Sequence, residues 1–321
     1  MKDFVFDLDR KSPEIPAISV ICINKNHSDY IEDTILSVLS QNYSDFEFII
    51  ADGGSEDSSL DVINKYKFIR LVSGKDSSRG EGLNRALQVA RGRYAMVTTS
   101  TDGYLSREWF KSAASVLDKD PQISLVFGAS VSMSHDGVLG AVTFPKKFPV
   151  YRPLKKEKWS LMWLMKGISK SYYPELNYCV RMDIFRKLMG SSSEFPELNK
   201  IDPILRFHFE FNRLGYIPYY LPILANYGRT HNNQEQYSES NNSFVRIYDK
   251  SWKKYRKSIV LGHSVHCIRE SGGKIITQGR QHPRLMRICL IWDMFIIKPL
   301  VINPIIYTKW LLKKVFRLFK R

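Results

Sequence analysis

Two rhythms alternate along the N-terminal half of the chain. Ile18-Ser19-Val20-Ile21-Cys22-Ile23 is a short β-branched run between Pro16 and the polar Asn24-Lys25-Asn26-His27, the pattern of a buried strand. Tyr30, Ile31, Ile35, Val38 and Leu39 then recur at helical spacing, and Ser28 or Asp29 is placed to cap that helix. The alternation repeats. Phe46 through Ala51, Phe68 through Val72, Tyr94 through Thr99 and Leu125 through Gly128 read as strands. Helices are predicted through Leu60–Tyr66, Gly82–Ala90, Trp109–Leu117 and 203–214.

Strands that alternate with helices across short loops predict a parallel sheet with both faces covered. In such sheets ligands bind beyond the carboxyl ends of the strands. Three of the first four strands end in small polar residues: Asn24–Asn26, Asp52-Gly53-Gly54-Ser55 and Ser100-Thr101-Asp102. Each has an ordinary reading. Asp52–Ser55 makes a strand-to-helix turn, and Asp102-Gly103 is a common turn pair. Together they place several polar side chains around one crevice, where Asp52 is an acceptor for a base or ribose. Asp102 is a hard oxygen ligand for Mg²⁺ or Mn²⁺ bridging two phosphates.

Composition narrows the partners. The 321 residues are 44% hydrophobic, enough for a core, and carry a formal net charge of +16, which calls for an anionic partner. The charge is unevenly spread: residues 284–321 hold nine basic residues against the single acid Asp293. Cys22, Cys179, Cys267 and Cys289 are scattered with no C-x-x-C spacing, which argues for free thiols rather than zinc or a disulfide framework. Met1 through Asp7 has no apolar stretch typical of a secretory signal. No run of about 18 apolar residues occurs to cross a membrane. A cytoplasmic protein is expected.

The order and spacing of these segments resemble family 2 glycosyltransferases, nucleotide-diphospho-sugar transferases of the GT-A fold involved in bacterial surface polysaccharide biosynthesis. The resemblance runs over residues 16–140, more weakly to about 232. It is carried by Ile18–Asn26, Thr34–Tyr43 with its Ser37-Val38-Leu39-Ser40-Gln41, Phe48–Asp57, Asp76–Asn84 and Gly92–Asp102. It implies a Rossmann-like, mostly parallel α/β sheet flanked by helices, and sugar transfer with inversion at the anomeric carbon. By the same resemblance Asn24, Asn26 and Asp52 bind the nucleotide, Asp76 and Asn84 close over the donor, and Asp102 holds a divalent cation. Asp202, at the start of a helix, matches the general base; it equally makes a good N-cap ahead of Pro203. His231, in Tyr227-Gly228-Arg229-Thr230-His231, matches a residue that approaches the metal or diphosphate.

The chain departs from the pattern where the family carries Asp/Asn-x-Asp-Asp, because it has Thr99-Ser100-Thr101-Asp102. That leaves a thinned metal motif, and a non-catalytic GT-A-like scaffold is the alternative it raises.

From Leu285 to Phe319 apolar and basic residues interleave, interrupted by Pro299 and Pro304. Such a segment suits a membrane interface better than a span. The expected organisation is a GT-A domain over 1–232 (donor half 16–140, acceptor half 141–232), a helical connector over 233–283, and a basic amphipathic segment over 284–321. The expected partners are a nucleotide-sugar, a lipid-linked or glycan acceptor and the inner face of the plasma membrane. Nucleic acid is not among them, since the aromatic residues of the tail flank aliphatic runs rather than forming a stacking platform.

Overall fold

The computed structural model describes residues 12–143, 177–214, 216–230, 246–255, 267–271 and 274–278. In chain order the elements are β1 (Ile18–Asn24), α1 (Ile31–Leu39), β2 (Phe46–Asp52), α2 (Ser59–Ile63) and β3 (Ile69–Ser73). They continue with α3 (Arg79–Val89), β4 (Tyr94–Thr99), β5 (Gly103–Tyr104), α4 (Trp109–Lys119), β6 (Ile123–Met133) and β7 (Leu139–Thr143). Next come β8 (Tyr178–Arg181), α5 (Met182–Met189), a 3₁₀ turn (Pro196–Lys200), α6 (Pro203–Arg213) and β9 (Ile217–Arg229). A helix over 246–255, α7, and an antiparallel pair, β10 (Cys267–Ser271) with β11 (Lys274–Gln278), complete them.

The sheet runs β3-β2-β1-β4-β8-β6-β9-β5, with β7 on the edge of β6. The first four strands are parallel neighbours, β8 is antiparallel to both β4 and β6, and β6 and β9 are parallel. The carboxyl ends of β1, β2, β3, β4, β6 and β9 therefore share one edge.

Every residue of β1 and β2 is buried, because both faces of the sheet are covered. Ile21, Ile23, Ile49, Ala51, Ala95 and Val97 pack beneath α3, α5 and α6. The alternate residues Ile18, Val20, Cys22, Phe46, Phe48 and Met96 pack against α1 and α4. Each fully buried aliphatic side chain contributes about 1.5–3 kcal/mol. This two-sided burial explains the continuous apolar runs. Burial also pushes the Cys22 and Cys179 thiols well above their ordinary range, and both are free.

Two expectations change. Neither Ser28 nor Asp29 caps α1: the N-cap is Tyr30, with no side-chain cap, while the Ser28 N–H donates to Asp57 Oδ2 (2.9 Å) in the β2–α2 loop. The region expected as a helical connector contains β10 and β11 as well as α7. Among the described residues no helix is long and apolar enough to cross a membrane. Residues 144–176 and the basic segment 284–321 lie outside the described residues.

Candidate active site

The ends of β1 and β2 are joined side chain to side chain. Asn24 and Asp52 are register partners, and Asn24 Nδ2 donates to Asp52 Oδ1 (2.8 Å). Asp52, fully buried, accepts on Oδ1 from the Ser55 hydroxyl (2.6 Å) and on Oδ2 from the N–H groups of Gly54 (3.0 Å) and Ser55 (2.9 Å). Burial alone raises its pKa. The bonds from Ser55, Asn24 and Gly54 outweigh that and hold the carboxyl below the usual carboxylate range. Asn26, left-handed at φ 55°, donates its N–H to Ser55 Oγ (2.9 Å) and accepts from the Glu56 N–H (2.8 Å). Ser55 is thus the hub that locks Asn24, Asn26 and Asp52 together. Asn24 Oδ1 is buried and makes no protein hydrogen bond, which leaves an acceptor at the strand end.

Asp76 stands in the loop between β3 and α3. Its carboxylate sits where a Cβ on Gly53 or Gly82 would come within 2.5 and 2.8 Å of it, so a side chain at either position would push the carboxylate aside. Arg85 Nη2 fixes the same corner, donating to Asp76 Oδ2 (3.1 Å), Gly74 O (2.7 Å) and Asp52 O (3.2 Å). Asn84, one residue earlier on α3, is exposed. The helix turns its arginine, not its asparagine, toward the strand ends.

Asp102 follows β4. Asn177, left-handed at φ 64°, donates to its Oδ2 (3.3 Å), and the Arg229 N–H at the end of β9 donates to its Oδ1 (3.1 Å). Burial pushes its pKa up to about 6, against the lowering effect of those two bonds. Where a second and third acid are expected, the Thr99 and Thr101 hydroxyls bond to each other (3.2 Å). His27 Nδ1 and Ser100 Oγ pair at 2.9 Å beside them. His231 lies outside the described residues. Among the described residues no three His, Cys, Asp or Glu side chains converge to hold a metal ion. They offer a divalent cation one carboxylate and two hydroxyls, which do not make a metal centre by themselves.

Asp202 is the N-cap of α6: its Oδ1 accepts from the Ile204 N–H (2.7 Å). Its Oδ2 accepts from Arg79 Nε (2.9 Å) at the start of α3. The cap reading of Asp202 is therefore met, and the residue is also tied to the helix that carries Arg85. Arg79, Arg85, Asn177 and Arg229 are the residues that sequence reasoning missed. Arg85 meets its partners 9 to 33 positions away, whereas those of Arg79, Asn177 and Arg229 lie 75 to 196 positions away in the chain.

A mostly parallel α/β sheet whose carboxyl edge gathers polar side chains matches the GT-A fold of the solved glycosyltransferases below. The model of "Glycosyl transferase family 2" matches residues 19–180, and the chain belongs to that family. It is 32% identical over 127 residues to TuaG of Bacillus subtilis (strain 168), named for teichuronic acid biosynthesis, covering 38% of this chain and 50% of that protein. It is 29% identical over 138 residues to the UDP-Glc:alpha-D-GlcNAc-diphosphoundecaprenol beta-1,3-glucosyltransferase WfaP of Escherichia coli, covering 38% and 55%. The chain thus spans about half the length of each. Among solved structures, S. aureus TarS 1–349 in complex with UDP-GlcNAc shares the fold at TM-score 0.52 and 15% identity, covering 89% of this chain and 75% of that one. The mannosyltransferase PcManGT from Pyrobaculum calidifontis, with GDP-Man and Mn²⁺, does so at TM-score 0.51 and 14% identity, covering 92% and 74%.

Proposed function

We propose that the chain is an inverting glycosyltransferase. It moves a sugar from a nucleotide-diphospho-sugar to a hydroxyl of a lipid-linked or polysaccharide acceptor in bacterial cell-surface glycan synthesis. The observation that carries this reading is the convergence of Asn24, Asp52, Asp76 and Asp102 on one edge of the sheet, with Asp202 clasped to the same corner by Arg79. Asn24, Asn26 and Asp52 bind base and ribose, and Asp76, held by Arg85, closes over the donor. Asp202 accepts the proton of the acceptor hydroxyl as its oxygen bonds to the anomeric carbon and the nucleoside diphosphate departs from the opposite face.

Relatives and neighbours support the substrate classes. WfaP is named for a diphosphoundecaprenol-linked acceptor, and TarS and PcManGT were solved with UDP-GlcNAc and GDP-Man. PcManGT also holds Mn²⁺, and Asp102 with His231 are the residues assigned to such an ion, which would offset the charge of the departing diphosphate. The basic segment 284–321 places the enzyme on the inner face of the plasma membrane, beside a lipid-linked acceptor. The proposed units are the GT-A domain over 1–232, the connector over 233–283 and that segment.

Calorimetry with a panel of UDP-, GDP- and TDP-sugars tests the reading, followed by transfer assays on Asp102→Ala and Asp202→Asn. Binding of one donor, and transfer lost in both folded variants, is expected. No binding to any of them overturns it. Replacement of two acids by Thr99 and Thr101 favours the scaffold reading, which gains if an Asp102→Ala strain makes its surface glycan normally.

A further inference from the structure

We propose that the hairpin of β6 and β7 is a lipid-contacting surface, separate from segment 284–321, that seats on an anionic bilayer. The inference goes beyond the transferase reading and does not need it. β6 ends on the carboxyl edge of the sheet, and the chain turns there to return as β7. The turn is fixed: the Ser134 N–H donates to Val138 O (2.9 Å), and the Val138 N–H donates to Ser134 Oγ (3.1 Å). Arg229 Nη1 donates to His135 O (3.2 Å), which anchors the hairpin to the end of β9 beside Asp102.

Every residue from 135 to 142 is exposed. Successive strand residues face opposite ways, so an unbroken exposed run leaves neither side of β7 covered. Among the described residues five large apolar side chains are exposed, and three of them are Val138 (62%), Leu139 (52%) and Val142 (47%). No charge and no proline interrupts residues 137–142 to shield this apolar edge.

Two observations choose what covers it. Strand addition by a second copy is disfavoured, because β7 is only five residues long and its ladder is bulged between Val131 and Met133; both features blunt an edge. Charge favours lipid. Residues 144–176, which follow β7 directly, carry eight Lys and Arg against Glu157 and Glu175. Lys146-Lys147 comes first, and Phe144, Phe148, Trp159 and Trp163 are interleaved with the basic residues. With 284–321 this stretch holds all but two of the sixteen excess positive charges. Exposed aliphatic side chains next to basic and aromatic residues are the composition of an interfacial contact with anionic lipid. The hairpin stands on the edge that carries Asp102, so seating it turns that edge toward the bilayer.

The experiment uses the full chain and the triple variant Val138→Thr, Leu139→Thr, Val142→Thr, which keeps strand-forming residues and whose folding is checked by circular dichroism. Both are floated with vesicles of phosphatidylcholine mixed with phosphatidylglycerol. Segment 284–321 is intact in each, so a difference between them reads the hairpin. The variant is expected to partition about tenfold less than wild type, from the loss of three apolar side chains. Equal partition, or no flotation of wild type, overturns the proposal. So does a wild-type dimer that the variant dissolves at equal lipid binding, which assigns the edge to a second copy. Calorimetry with the nucleotide-sugar panel keeps the readings apart. A chain that takes a donor but floats equally in both forms loses only the hairpin contact, whereas one that floats as expected but takes no donor loses only the transferase reading.

Discussion

Arg79 Nε and Asp202 Oδ2 stand 2.9 Å apart although 123 positions separate them in the chain. The pair ties the first turn of α3 to the first turn of α6, the two helices that bring Arg85 and the candidate base to the same corner. Asp202 is almost fully buried in this contact and Arg79 is partly so.

Replacing Asp202 by asparagine and by alanine separates its two roles. Asparagine is as good an N-cap as aspartate, while alanine gives up about 1 kcal/mol of cap stability. Both variants are expected to lose transfer, with only Asp202→Ala showing the larger drop in urea midpoint. Transfer retained by Asp202→Asn would leave the residue as a cap alone.

Arg79→Gln removes the clasp but not the carboxylate. The expected result is a fall in kcat of about tenfold with donor affinity unchanged, and a stability loss of about 1–3 kcal/mol for a charge-assisted bond. Steady-state kinetics and calorimetric titration with the donor read the two effects apart.

Arg85→Met keeps the length of the side chain and removes three hydrogen bonds, to Asp76 and to the carbonyls of Asp52 and Gly74. Nucleotide-sugar affinity is expected to drop, since the Asp52 and Asp76 loops lose their common strut. An unchanged dissociation constant would place the donor elsewhere.

Asp52 gives a pH signature. Its folded pKa lies below the ordinary 3.8, so the unfolded chain takes up a proton first on acidification. The stability it contributes is complete above the ordinary value and disappears as pH falls through the lower folded value. Asp52→Asn is expected to be less stable than wild type at neutral pH, with the gap narrowing below about pH 4 in denaturant titrations.

Thr101→Asp restores one acid to the strand end. Adding a second carboxylate next to Asp102 is expected to raise Mn²⁺ affinity by roughly tenfold, since affinity for hard cations follows ligand charge. Isothermal titration of Mn²⁺ into both proteins checks it.

β1, β2 and β4 were legible because two-sided burial writes them as continuous apolar runs, and the polar residues at their ends were legible for the same reason. Asn24 and Asp52 are the last residues of β1 and β2, and Asp102 follows β4, so each stands where an apolar run stops. β9 was not legible. Pro218 and Pro222 interrupt it, and its exposure alternates irregularly along 13 residues as its register against β6 shifts. Without β9 in view, Arg229 had no visible link to Asp102 or to Asp33, 196 positions earlier. Asn177 is hidden in the same way, being the residue before the four-residue β8. Asn84 shows the converse. The motif marks the asparagine, but the turn of α3 faces Arg85 to the strand ends.

The position of β9 in the chain also sets an order of events at the ribosome. Asn24, Asp52, Asp76 and Arg85 find one another within the first 85 residues, so that corner can take shape while most of the protein is still unmade. Asp102 gains its last hydrogen-bond partner only when Arg229 has been synthesised and threaded alongside β6. Closing such distant contacts is slow compared with local ones. In the growing chain the residues of the nucleotide corner are therefore all present well before the last partner of Asp102.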